Sequence, residues 1–156
     1  MGEMDRFRLA LGRPQHGWLP FRLEIGDFIL EDSASFVLND PLAEWLDLLE
    51  CCIRPCRGPA RVCLWLEPAG YAVDLVASEQ AEQVELRVYF DPSFIPPMRE
   101  RSMSLQFEGV VRRSTVAAGL VAGLGGLLRG DAMDSHELRC EPYLSRFDGL
   151  AFLNPG

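Results

Sequence analysis

The residues able to do chemistry in this chain are few in kind, and acids dominate them. There are 5 cysteines, 2 histidines and 23 aspartates and glutamates against 15 basic residues, all of them arginine. Four cysteines, Cys51, Cys52, Cys56 and Cys63, crowd one short stretch, and Cys140 stands apart. Zinc sites usually present paired knuckles, with two thiolates a few residues apart on one tight turn. The spacing Cys-Cys-x3-Cys-x6-Cys forms no such pair, and adjacent Cys51 and Cys52 point to different faces of a helix. An odd cysteine count in a chain that opens on a charged, unleader-like segment predicts reduced thiols, buried or half-buried, with no metal or other cofactor.

Neither histidine sits in a catalytic motif. His16 falls in an irregular stretch, and Asp134-Ser135-His136-Glu137 reads as a solvated helix start, because neighbouring helix positions face apart. No Gly-x-Ser-x-Gly elbow, His-Glu-x-x-His, P-loop or EF-hand loop occurs. Gly123-Leu124-Gly125-Gly126 superficially suggests a phosphate cradle. It has Leu128 where the dinucleotide fingerprint needs glycine, and it falls late in a helical pattern, away from the anion-binding end. No enzyme activity is expected.

The carboxylates remain. Glu24, Asp27, Glu31 and Asp32 lie near one hairpin, and Glu79, Glu82 and Glu85 lie near another. Acid–base work needs burial or like-charge coupling to shift a pKa. Exposed faces suit either simple solvation or docking of a cationic partner, with fast, salt-sensitive association. The partner-binding candidates are therefore Asp27, Glu31, Asp32, Glu79, Glu82 and Glu85, with Phe94 as an apolar anchor in the Pro-rich Asp91–Arg101 loop.

The elements that position these residues follow from periodicity. At 156 residues and 48% hydrophobic, the chain can bury one domain core. A net charge of -8 argues against nucleic acid as partner, since phosphate binding needs clustered positive charge. The charged start is no signal peptide, and the Gly-broken run Val116–Leu128 is too short to span a membrane, so a cytoplasmic protein is expected.

Residues 1–17 read as a loose lead-in broken by Gly12, Pro14 and Gly17. Leu19, Phe21, Leu23 and Ile25 then alternate with polar residues, Gly26-Asp27 turns the chain, and Phe28–Glu31 returns. Asn39 or Asp40 caps a helix with Pro41 in its first turn and a stripe at Leu42, Trp45, Leu46, Leu49, Cys52 and Ile53. Four strands follow, within Arg61–Glu67, Tyr71–Ala77, Val84–Phe90 and Met103–Gly109, in a meander with one solvated face. A second helix begins near Ser114 or Thr115. Its stripe is Val116, Ala117, Leu120, Val121, Leu124, Leu127 and Leu128. Its interior glycines each cost about 1 kcal/mol against alanine, which predicts a close backbone contact that offsets them. Residues 131–156 read as a largely irregular tail with one short helix near Ser135. The expected fold is a single α+β domain: about six antiparallel strands, an N-terminal hairpin and then a meander, packed on two main helices.

This order of elements resembles the small bacterial immunity proteins of the WapI-like type. The likeness rests on the hairpin, then Asn39-Asp40-Pro41 before a helix bearing Trp45. A strand ending in Glu67-Pro68, a loop with Pro96-Pro97 and a last helix continue it over about Trp18–Arg129. The resemblance implies an antidote that binds and blocks a cognate bacterial toxin domain, often a nuclease, in competition between cells. The rival expectation is a small-ligand-binding or regulatory domain that uses the space between sheet and helices. Homodimerisation stays open on the sequence alone.

Overall fold

The computed structural model describes residues 3–54, 58–77, 82–93, 102–130 and 141–153. The fold is α+β. Among the described residues, eight strands, β1 (Glu3–Met4), β2 (Phe7–Leu11), β3 (Trp18–Ile25), β4 (Phe28–Ser35), β5 (Ala60–Trp65), β6 (Gly70–Ala77), β7 (Gln83–Asp91) and β8 (Ser104–Arg112), accompany three helices, α1 (Pro41–Ile53), α2 (Arg113–Leu128) and α3 (Glu141–Leu153).

Local chemistry accounts for most of these elements. In β3, Leu19, Phe21, Leu23 and Ile25 are buried while the residues between them are half-exposed, the signature of a strand with one face on a core. Gly26 turns the chain at φ 58, a conformation that costs glycine nothing. Asp40 caps α1 by accepting the Ala43 N–H at 3.0 Å, and Pro41 supplies its first turn. The expected stripe of α1 is buried at Leu42, Trp45, Leu46, Leu49 and Cys52 and half-buried at Ile53, with Leu48 added and Trp45 fully enclosed. The stripe of α2 is likewise buried at Val116, Ala117, Leu120, Leu124, Leu127 and Leu128. That helix starts at Arg113, straight from the end of β8, slightly before the expected Ser114.

The strands form two sheets rather than one. The larger has the order β1-β8-β7-β6-β5 and the smaller β2-β3-β4. All pairings are antiparallel except β1 with β8. One hydrophobic cluster joins both sheets and all three helices, from Phe7 and Leu9 through Trp45, Leu64 and Leu86 to Phe147.

Two expectations at the chain ends are corrected. The first seventeen residues are not a loose lead-in, because they hold β1 and β2, and β2 buries Phe7 and Leu9 in the core. The stretch is hard to read because it is short and its strand is completed by pairing with β3. Nor is the described part of the tail irregular: α3 runs for 13 residues and buries Phe147 and Leu150. The helix expected near Ser135 lies outside the described residues.

The glycines of α2 have the partner their cost demanded. A Cβ at Gly119 would stand 2.5 Å from the carbonyl oxygen of Phe7, and one at Gly123 would be 2.9 Å from the carbonyl carbon of Leu9. The helix backbone therefore lies directly on the backbone of β2.

Candidate functional site

Each sheet has edges, and exposed edges are where a β protein meets other chains. The pairing register shows which edges this fold closes. Gly26 N–H donates to Arg6 O and Gly12 N–H to Pro20 O. These bonds fix Arg8 and Ala10 as the residues of β2 bonded to β3, and Phe7, Leu9 and Leu11 turn their main-chain groups outward. Gly119 and Gly123 of α2 cover that side.

On β5, the outward main chain of Cys63 is held by two side chains at the start of α1. Glu44 Oε1 accepts the Cys63 N–H at 2.8 Å, and the Asn39 amide donates to Cys63 O at 2.7 Å and to Glu44 Oε2 at 2.7 Å. Asn39 and Glu44 thus stand in for a neighbouring strand. Burial pushes the Glu44 carboxyl above its ordinary value, and these two hydrogen bonds only partly oppose that. Burial also pushes the neighbouring Cys63 thiol up to about 11 and the Cys52 thiol to about 12. Thiols held protonated in this way are poor nucleophiles and poor metal ligands.

Cys51 is disulfide-bonded, which corrects the expectation of reduced thiols throughout; Cys56 and Cys140 lie outside the described residues. Among the described residues, no group of three His, Cys, Asp or Glu side chains converges as a metal would need.

The edge of β4 is different. Phe36 N–H donates to Gly17 O at 2.9 Å, continuing the register Ala34↔Leu19, Asp32↔Phe21 and Leu30↔Leu23. Ile29, Glu31 and Ser33 therefore aim their main-chain N–H and C=O groups away from β3, where no strand pairs with them among the described residues. Asp32 Oδ1 takes the Ser33 N–H at 2.8 Å. Ile29 is 52% exposed, a large apolar side chain in open solvent.

The solvent-facing side of this small sheet carries Arg22 at its centre. Its guanidinium donates to Glu31 at 2.5 Å and to Glu24 at 3.0 Å. Two grooves run over it. One, of about 550 Å³, is lined by Arg8, Ala10, Arg22, Glu24, Gly119 and Gly123 among others. The other, of about 620 Å³, shares Ala10, Leu11 and Arg22 and adds Glu31, Asp32 and Ser33.

The predicted residues divide between places. Glu31 and Asp32 come together on β4 and line one groove. Asp27, in the adjoining turn, lines another of about 390 Å³ with Met4, Asp5, Arg6 and Gly26. Glu82 stands in the turn just before β7, and Glu85 belongs to the larger sheet, where it accepts from Arg87 at 2.7 Å. There the register aligns Arg61, Asp74, Arg87 and Glu108 across four strands, and Arg61 grips Asp74 with two bonds of 2.6 and 2.7 Å. That ladder is a satisfied, charge-alternating face. Glu79 and Phe94 lie outside the described residues.

Ile29 was not among the candidates, although Phe28-Ile29-Leu30 carried a signal. Three consecutive apolar residues in a strand force the middle one onto the opposite face.

Compared with known proteins, the chain matches no family model, no curated protein and no solved structure. Its reading rests on geometry. Among the described residues, no helix is long and apolar enough to cross a membrane.

Proposed function

We propose that this chain is a non-catalytic, cytoplasmic binding protein that occupies a cationic protein partner, in the manner of an immunity protein neutralising a cognate toxin domain. The observation that carries this reading is the flank of the first hairpin. Asp27, Glu31 and Asp32 stand there beside the exposed Ile29, on a strand whose outer edge has no pairing strand among the described residues. An exposed apolar anchor beside a group of carboxylates suits protein docking. The net charge of -8 adds long-range attraction for a basic partner. The Arg22–Glu31 pair does not cancel this, because an exposed ion pair contributes little and opens readily to a competing cation. The toxin-neutralising role itself rests on the order of elements from Trp18 to Arg129.

A second reading, small-ligand binding, draws on the groove between β2 and α2, which offers about 550 Å³ beside Arg8 and Arg22. It is the weaker of the two, since Arg22 already serves two carboxylates there.

Coexpression with the product of the neighbouring reading frame tests the first reading. A stoichiometric complex, together with rescue of growth from that product's toxicity, is the expected result. Absence of both overturns it.

A further inference from the structure

Among the described residues, four long strand edges could accept another strand; two are closed by dedicated devices, and the edge of β8, which β1 covers only at Val110 and Val111, is interrupted by a bulge opposite Val88 and Tyr89. The β2 edge lies under the Gly119 and Gly123 backbone, and the β5 edge is occupied at Cys63 by Asn39 and Glu44. The short edge strand β1 spans only two residues. The β4 edge carries no such cover at Ile29 and Glu31 among the described residues, and only the Ser33 N–H is taken, by the neighbouring Asp32. It is eight residues long, pairs with β3 through an unbroken register and contains neither proline nor a bulge. Proteins normally blunt such an edge, because its unpaired N–H and C=O groups template the addition of another strand. The protection here is electrostatic: Glu31 and Asp32 point to opposite faces of the strand, and the Glu31 side chain is 63% exposed. Such charges repel acidic or self-like strands and attract basic ones.

We infer that the β4 edge from Ile29 to Ser33 accepts an extended cationic segment of the partner protein as a fourth strand of the small sheet. Main-chain bonds to Ile29 and Glu31 supply the attachment, as in other cases of strand addition. Side chains supply the choice. Glu31 and Asp32 face opposite ways, so the segment needs basic residues at consecutive positions, one for each face. An apolar residue two positions from the basic one that meets Glu31 would cover Ile29, because side chains on one face recur every second residue. A second copy of this chain is the disfavoured occupant, since two β4 edges would bring Glu31 and Asp32 of both copies together at the same seam. The inference rests on the cationic-partner reading above and adds its place and mode.

The test uses the full chain and a synthetic probe, the peptide Arg-Val-Thr-Arg-Arg-Thr-Val-Arg, which sets a valine over Ile29 and adjacent arginines over Glu31 and Asp32 in either strand direction, with a version N-methylated at alternate residues along its pairing edge. N-methylation leaves the charge unchanged and removes the main-chain donors. Binding is read by titration and by amide hydrogen exchange. The expected result is that the unmodified peptide slows exchange at Ile29 and Glu31 and binds at least tenfold more tightly than the methylated one. Glu31→Arg, at an exposed position, should weaken binding at least tenfold while leaving the melting transition in place. Equal binding of both peptides, or protection centred on Glu82 and Glu85 instead of β4, overturns the edge and leaves the cationic-partner reading standing. No binding of either peptide at low salt overturns both. A dimer in sedimentation with its β4 amides protected before peptide is added overturns the choice of occupant.

Discussion

Gly123 of α2 lies against the main-chain carbonyl of Leu9 on β2, closer than any residue with a Cβ could come. One helix thereby seals a sheet edge with its own backbone, and Gly119 repeats the contact one turn earlier at Phe7.

Substitution of these glycines separates contact from propensity. Gly123→Ala and Gly119→Ala should each destabilise the fold by about 1–3 kcal/mol, because the added methyl meets backbone that cannot step aside. Gly126 is the control. Nothing lies within 4 Å of a Cβ built there, so Gly126→Ala should stabilise by about 0.4–1 kcal/mol. Urea denaturation of the three variants reads the difference. Equal effects at Gly123 and Gly126 would falsify the backbone contact.

Glu44 closes the β5 edge at the cost of a half-buried carboxylate. Glu44→Ala should destabilise by about 1–3 kcal/mol, since the Cys63 N–H then loses its acceptor.

The same residue sets a pH dependence. Burial raises its folded-state pKa above the ordinary 4.5, so the folded chain holds this proton to a higher pH than the unfolded chain does. Stability from this group is therefore fully present below about that value and is lost as pH rises through the folded pKa. Glu44→Gln removes the titration. Compared with that variant, the native chain should lose ground as pH is raised from 4 towards 7 in urea melts. A difference that stays flat, or grows in favour of the native chain, contradicts the burial of Glu44.

Thiol reactivity follows from the same burial. With Cys63 pushed up to about 11 and Cys52 to about 12, little thiolate exists near neutral pH. Iodoacetamide should leave both unmodified in the folded protein and label both in urea, as read by mass spectrometry of the peptides. Labelling of Cys63 in the folded state at the unfolded rate would count against the closed β5 edge.

If Asp27, Glu31 and Asp32 steer a basic partner, association must be sensitive to salt. The Debye length shrinks from about 10 Å at 0.1 M to about 3 Å at 1 M ionic strength. The association rate with the cognate partner should fall across that range, and the double variant Asp27→Asn with Asp32→Asn should be slower and less salt-sensitive. A rate that does not change with salt removes electrostatic steering from the account.

Much of this molecule is legible in its sequence. The alternation from Leu19 to Ile25, the Gly26-Asp27 turn and the Asp40-Pro41 start of α1 depend on residues close in sequence, and period and capping are local properties. Even the glycines of α2 announced a close backbone neighbour through their cost to the helix. What the sequence could not specify was which strand lies beside which. The division into two sheets, the place of Phe7–Leu11 as a strand under α2, and α3 with its buried Phe147 all depend on contacts between distant segments.

The candidate site divides in the same way. The sequence alone determined that the chain is acidic, folds as α+β and offers carboxylates near its first hairpin. The tertiary structure decided that Glu85 is paired with Arg87, that Glu31 stands on an exposed edge, and that Asn39 and Glu44 occupy another edge. Charge is counted residue by residue, whereas pairing and exposure are properties of neighbours that only the folded chain brings together.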